Sequence, residues 1–549
     1  MLSNAQRIMR AITVMTHTNS PQPSLFGGLR GAGDLVRRNA RLFGSAEALV
    51  FGDVRLTWRE VNARINRFAH ELRRLGIGRG DRVALYGRNS HQWVEALFAV
   101  AKLGGVAVTV NHRLAPPEVE QIVADSGARA LVCGAQESDA ARGVASRARD
   151  VRAIIVIGAG AKDLENYEAM VARGDESEPV LERPIAADDP LLLLYTSGTT
   201  GFPKGAIYTH ASTLIGMFVH VHAIGSRRTH RVMLPSPLHS AAGIAGIFCA
   251  VYVGSFIALI NFDVATALRT IECEQITFTN LVPTTIQLLL EDPASERTDL
   301  ASLQTLLYGG APMPEPLVRR AMQRLPHCGF RQTFATTETG CAGTVLEPME
   351  HRLALSAPRY VKLLRSCGRA QVNVEVAIVG EGWRELPPGE IGEIAVRTEA
   401  NMVGYWNNPG ATAAVLRDGW VRTGDMAYMD EDGYFYLVDR KNDMIVTGAL
   451  NVYPSEVERV LHKHPAVADC AVFGLPDRKW GEAVAAAIVR RPNVEASAEE
   501  LIAFCEGKIA GFKKPRRICF VEQIPRTPTG KILRRALRER FAQGPDETA

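Results

Sequence analysis

The stretch LLLLYTSGTTGFPKG, residues 191–205, decides how the chain is read. Its first five residues form an unbroken apolar run, the pattern of a strand buried on both faces. The run ends in Thr196, Ser197, Gly198, Thr199, Thr200 and Gly201, with Lys204 following Pro203. Glycines let successive backbone N–H groups turn toward one point, the hydroxyls add donors, and the lysine adds positive charge. Together they describe an anion cradle suited to a polyphosphate. The spacing is not GxxxxGK(S/T), so the P-loop nucleotide fold is not implied. A buried strand feeding such a loop is not the composition of a surface linker.

Working outward, residues 25–436 alternate short apolar runs with amphipathic stretches, the rhythm of an α/β fold. The spacing predicts a helix over 57–75, strands at 82–86 and 106–110, and a helix over 92–102. It further predicts a helix over 117–126, a strand at 130–133, and a helix, strand and helix over 265–274, 275–279 and 283–290. Near Asn373 the texture changes to VNVEVAIV, GEIAV and GYFYLV between Gly and Pro turns, an antiparallel sheet appended to the α/β core. A second boundary falls at 439–443. Beyond it the pattern gives a small α+β unit: helices over 454–461 and 498–508, strands over 467–473, 483–488 and 517–521. The division read is a leader over 1–24, a large N-terminal domain over 25–439 and a C-terminal domain over 440–549.

Bulk properties narrow the function classes. A chain of 549 residues exceeds the ~250–300 at which one core stops growing. A net charge of +4 is too small at this size to point to nucleic acid or an anionic membrane. The nine cysteines form no CxxC pair, and none sits with histidines at zinc-ligand spacing, which suits a reducing compartment and a cytoplasmic protein. The longest apolar stretch, 242–260, is broken by Gly243, Gly246 and Gly254 and is read as buried core, not as a membrane span. Arg7 and Arg10 on a short apolar N-terminal face are read as a loosely docked leader.

The loop at 196–204 resembles the phosphate-binding loop of the adenylate-forming superfamily, which includes acyl-CoA synthetases, peptide adenylation domains and beetle luciferases. The resemblance extends from about residue 56 to 537 and rests on further motifs in order. LYGGAPMP, residues 307–314, is similar to the turn that lines the adenine and acyl pockets, implying roles for Gly309, Gly310, Ala311 and Pro312. TFATTETG, residues 333–340, resembles the aromatic-Gly-x-Thr-Glu element and assigns Thr333, Phe334, Ala335 and Thr336 to the nucleotide. It also places Thr337 at the α-phosphate and Glu338, with Thr196, at Mg²⁺. A hard cation on carboxylate and phosphate oxygens is what this anhydride chemistry needs. Ala335 stands where the family has glycine, and its methyl group narrows the acyl pocket.

WVRTGD, residues 420–425, resembles the ribose motif, where the two acceptor oxygens of Asp425 suit a vicinal diol. DRKNDMIVTGALNVYP, residues 439–454, resembles the domain-junction motif. It implies Arg440 on the nucleotide, Asn442 as the hinge, and Gly448, Ala449 and Leu450 along the coenzyme A channel. PRTPTGKILRR, residues 525–535, places Lys531 where relatives keep the lysine that bridges the attacking carboxylate and the α-phosphate.

The resemblance therefore implies activation of a carboxylic acid by ATP to acyl-AMP, then thioester formation with coenzyme A. The C-terminal domain would turn about the hinge between the two half-reactions. The acyl walls implied are His239 with the small or apolar Ala242, Gly243, Val282, Gly309, Gly310 and Ala335, and without a lysine or arginine. His239 would position the acid, and peptide adenylation domains keep an aspartate near there. A neutral fatty, aryl or alicyclic acid is expected. A ligase that loads a separate carrier protein stays open, as does a homodimer. GAGAKD at 158–163 lacks the third glycine of a dinucleotide fingerprint and is read as a turn. The basic stretch 508–517 is read either as a coenzyme A phosphate contact or as a solvated face, and the arginine-rich tail 534–540 as a solvated helix.

Overall fold

The computed structural model describes residues 29, 31–159, 163–196, 203–311, 313–441, 443–447, 450–477, 480–492, 494–526 and 532–542. Two large sheets share one core with the helices between them. The first sheet runs in the order Gly404–Tyr405, Lys204–Thr209, Pro190–Thr196, Val106–Val110, Arg82–Tyr86, Ala130–Gly134, Ala153–Ile157 and Glu165–Asn166. From Pro190–Thr196 to Glu165–Asn166 its strands are parallel, and the two at the other edge are antiparallel. The second sheet centres on parallel Gly329–Phe334, Thr305–Gly309, Phe278–Leu281, Arg231–Leu234, Phe256–Leu259 and Glu47–Phe51.

Helices His91–Lys102 and Ala241–Val253 are buried nearly all round because both lie inside this core. Phe98 of one meets Phe248 of the other edge to face, with centroids 5.2 Å apart. That placement accounts for the apolar stretch 242–260, which is helix Ala241–Val253 and strand Phe256–Leu259. Among the described residues no helix is long and apolar enough to cross a membrane.

A five-stranded antiparallel sheet follows, with Gly392–Arg397 and Trp420–Met429 at its middle. The last sheet joins Gly481–Arg490 to Val467–Asp477 antiparallel and to Arg517–Phe520 parallel. The architecture is the expected α/β body with an antiparallel sheet and a small α+β unit behind it.

Two expected elements shift. The strand read over 275–279 is Phe278–Leu281, because Gln275 takes φ +49° in the turn that ends helix Val264–Cys273. The helix read over 498–508 stops at Phe504, where Lys508 Nζ donates to the Phe504 carbonyl at 2.8 Å and closes the end. The arginine tail is not wholly solvated. In helix Arg534–Phe541 the Arg534 side chain is 11% exposed and bonds Glu458 at 2.6 Å and Asp443 at 3.2 Å. Leu537 and Phe541 of the same helix are buried. In the basic stretch, Lys513 pairs with Glu456 and Lys514 with Glu506. At Gly158, φ +95° follows the strand Ala153–Ile157, as a turn requires.

Candidate active site

Parallel strands of an open α/β sheet present their carboxyl ends to a common crevice. The loops after Thr196, Leu234, Leu281, Gly309 and Phe334 all leave such ends, and they carry most of the residues singled out above. Thr196 and Lys204 are register partners on antiparallel strands, with Thr196 Oγ1 3.5 Å from the Lys204 carbonyl. Ser197, Gly198, Thr199, Thr200 and Gly201, on the loop between them, lie outside the described residues, as do Pro312, Asn442, Gly448, Ala449 and Lys531.

Glu338 lies in the short turn Thr337–Thr339. Strand Gly404–Tyr405 pairs with Ala206 and Ile207, and this brings the Tyr405 hydroxyl to Glu338 Oε1, to which it donates at 2.8 Å. Lys204 Nζ lies 5.4 Å from the centre of the Tyr405 ring, within cation–π reach. The Met402 N–H donates to the Glu338 carbonyl at 2.9 Å. The Tyr208 hydroxyl donates to the Thr337 carbonyl and accepts from the Gly340 N–H at 2.9 Å. Thr336 Oγ1 is buried and has no hydrogen-bond partner among the described residues, so a polar atom waits there for an external one.

These side chains fit a nucleotide with Mg²⁺. The ion takes one or two carboxylates and completes its shell with phosphate oxygens and water, so it needs no cage of protein ligands. Among the described residues no such cage of His, Cys, Asp or Glu exists, and Glu338 is a single oriented carboxylate.

Asp425 is 6% exposed, and it stands opposite Arg440 in the antiparallel register. Its N–H donates to Thr423 Oγ1 at 3.2 Å, and that hydroxyl donates to the Ile394 carbonyl at 3.0 Å.

The small-residue walls come together as well. A Cβ on Gly309 would fall 2.5 Å from the Thr333 carbonyl oxygen, so only glycine fits between these paired strands. Gly310 takes φ +76°, and its missing Cβ would stand 3.8 Å from Val282 Cγ1. Ala311 follows this turn, and Ala335 follows buried Phe334 at the next strand's end. A Cβ on Gly243 would meet the Pro237 carbonyl oxygen at 2.1 Å, so the turn carrying His239 folds directly over Ala242 and Gly243. Leu450 opens the strand Leu450–Val452 and is exposed.

His239 packs edge to face on His112, with centroids 5.3 Å apart. Burial, then the neighbouring His112 and Arg113, lower the His239 pKa to about 3. Burial, then Arg113 and Arg88, lower that of His112 to about 4. Both rings are therefore neutral at pH 7. Asn89 fastens the His239 turn: its Oδ1 accepts from the Leu238 N–H at 2.8 Å, and its Nδ2 donates to Ser236 and Ile260 carbonyls at 3.0 and 2.9 Å.

Sequence reasoning missed His112, Asn89 and Tyr405. The first two sit just past the carboxyl ends of Val106–Val110 and Arg82–Tyr86, and that position was a usable signal. Tyr405 gave none, because strand pairing brings it to Glu338 from 67 positions away.

The model of the AMP-binding enzyme family matches residues 36–406, and that of the AMP-binding enzyme C-terminal domain matches 456–531. A feruloyl-CoA synthase from an Amycolatopsis species is 36% identical over 515 residues, covering 93% of this chain and 99% of the relative. A fatty acid–[acyl-carrier-protein] ligase, ScoC of Streptomyces coeruleorubidus, is 37% identical over 498 residues, covering 88% and 92%. The crystal structure of the anthranilate CoA ligase AuaEII with anthranoyl-AMP superposes with a TM-score of 0.83 at 28% identity, covering 93% of this chain and 97% of that one.

Proposed function

The chain belongs to the AMP-binding enzyme family, and from that premise we propose that its substrate is a neutral, hydrophobic carboxylic acid, fatty, aryl or alicyclic. The family chemistry is that of an AMP-forming acid–thiol ligase: ATP and an acid give acyl-AMP and pyrophosphate, and a thiol then takes the acyl group. The observation that carries the substrate reading is the set of walls after Leu234, Leu281 and Gly309, where Gly243, Val282, Gly309 and Gly310 offer no charge to a second carboxylate.

In this reading Thr196, Lys204 and the loop between them hold the β- and γ-phosphates. Thr337 meets the α-phosphate, and Asp425 and Arg440 hold the nucleoside. Glu338 and Thr196 would hold Mg²⁺, which supplies charge neutralisation on the phosphate oxygens. The neutral His239 and His112 rings flank the acid without competing for its carboxylate. Lys531 bridges carboxylate and α-phosphate in the first step. The domain over 440–549 then turns about Asn442 and brings Gly448, Ala449 and Leu450 to the coenzyme A channel. Positioning and charge stabilisation do the catalysis, with little covalent chemistry by the protein. A cytoplasmic enzyme, acting with small-molecule partners and no nucleic acid, completes the reading.

The likeness to the ScoC ligase supports a second reading, in which the acceptor thiol is on a carrier protein. Carboxylate-dependent ATP–pyrophosphate exchange over a panel of acids, followed by AMP release with and without coenzyme A, separates the two. Exchange with faster AMP release in coenzyme A supports the first. Exchange without that acceleration supports carrier loading, and absence of exchange with every acid overturns both.

A further inference from the structure

The core holds a small chamber that the activation chemistry leaves unassigned. It measures about 20 Å³, room for one water-sized group. His220, Gly246, Cys249, Asn280 and Leu307 line it.

Its walls continue those of the acyl site. Asn280 and Leu307 are register partners on adjacent parallel strands. Side chains two residues apart on a strand share a face, so Asn280 leads on to Val282 and Leu307 to Gly309. On helix Ala241–Val253, Gly246 lies one turn beyond Ala242 and Gly243, on the same side. Two strand residues put the chamber about 7 Å deeper than the pocket walls.

At this depth stands His220, 6% exposed, with a buried Nδ1 that has no hydrogen-bond partner among the described residues. Burial keeps the ring neutral. Each nitrogen of a neutral imidazole either donates or accepts one hydrogen bond, so an unpartnered one is a bonding position left open. Asn280 adds an amide to the same wall. Among mainly apolar walls, with Ser226 and Asn280 as the other polar groups, the slot thus holds a ring nitrogen without a partner among the described residues, which costs the folded protein unless a polar group arrives.

We infer that the chamber receives the far end of the acid, and that the substrate carries a hydroxyl or amino group about 7–10 Å from its carboxyl carbon, which hydrogen-bonds to His220 Nδ1. This rests on the activation reading above and narrows it. Two kinds of acid meet the requirement: an aryl acid with a ring hydroxyl opposite a short carboxyl arm, and a medium chain with a terminal hydroxyl.

The test is ATP–pyrophosphate exchange with matched pairs: 4-hydroxycinnamic against cinnamic acid, and 8-hydroxyoctanoic against octanoic acid. The hydroxylated member of at least one pair should exceed its partner in kcat/KM by about tenfold or more, since a site built to bond a hydroxyl rejects the analogue lacking it. The pair that shows the preference tells ring from chain. In His220→Leu, checked for folding by its melting curve, the ratio should fall toward one. If that variant does not fold, the wild-type ratios decide. Equal rates for both members of both pairs overturn the inference and leave activation standing. No exchange with any acid overturns the activation reading and this inference with it.

Discussion

Tyr405 donates its hydroxyl proton to Glu338 Oε1 across 2.8 Å, while its ring lies 5.4 Å beneath Lys204 Nζ. One side chain thereby fixes the direction of the carboxylate and the height of the cation. Neither Glu338 nor Lys204 can turn freely without breaking contact with this phenol.

Removing the phenol oxygen tests that coupling. A hydrogen bond to a charged group is worth about 1.5–3 kcal/mol, so Tyr405→Phe should lower kcat/KM for adenylation by about 10- to 100-fold. The Mg²⁺ concentration for half-maximal rate should rise, and binding of Mn²⁺ with a non-reacting ATP analogue, followed by spin resonance, should weaken in parallel. Glu338→Gln is the comparison, with a larger loss. Unchanged metal binding in Tyr405→Phe would remove the positioning role.

Asn89 ties the His239 turn to the neighbouring loop through Leu238, Ser236 and Ile260. It is 5% exposed, so truncation strands several buried groups at once. Asn89→Ala should cost about 2–4 kcal/mol in urea unfolding and raise KM for the acid more than KM for ATP. Equal stability to wild type would show that the turn holds itself.

How far these features could be read in advance depends on their range. The strands at 82–86 and 106–110 were legible because short apolar runs bounded by Asp81 and Gly87, and by Gly105 and Asn111, carry their own signal. The strand read at 275–279 was displaced because Gln275 spends its conformation on closing the preceding helix. At the site, the glycines at 309 and 310 announced a tight turn. The bonds from Asn89 and Tyr405 arise only when distant strands pair. Local pattern cannot encode a contact whose two halves are assembled by different loops.

Arg534 is the next case, since sequence placed it on a solvated face. It donates to Glu458 at 2.6 Å, Asp443 at 3.2 Å and the Val472 carbonyl at 2.9 Å. Breaking a buried ion pair from one side costs about 3–5 kcal/mol, because the other charges stay behind. Arg534→Met should therefore loosen the C-terminal unit, with faster amide exchange along Val467–Asp477 than along Arg82–Tyr86. Asp443 adjoins Asn442, the proposed hinge, and Arg534 lies three residues after Lys531, so both proposed half-reactions should slow together. Exchange rates equal to wild type along Val467–Asp477 would contradict this.

Acid should destabilise the fold through its buried histidines. Burial lowers the pKa of His210, His220 and His351 to about 4 and, with its neighbours, that of His239 to about 3. The bonds agree with neutral rings: His210 Nδ1 accepts from the Ala32 N–H at 3.1 Å, and His351 Nε2 meets the Tyr308 hydroxyl at 2.8 Å. In the unfolded chain each ring titrates near 6.5. Between these values the unfolded state binds more protons than the folded one, so stability rises with pH there. It is fully present above about pH 6.5 and is lost as pH falls toward 4. A fully buried ring accounts for roughly 3 kcal/mol of that loss at pH 4. Urea unfolding at pH 7.0, 6.0, 5.0 and 4.5 should show a steady fall in the midpoint. His210→Gln should flatten the slope, because its amide oxygen can accept from Ala32 without titrating. A midpoint constant over this window would mean that these rings take up protons in the folded protein as readily as in the unfolded chain.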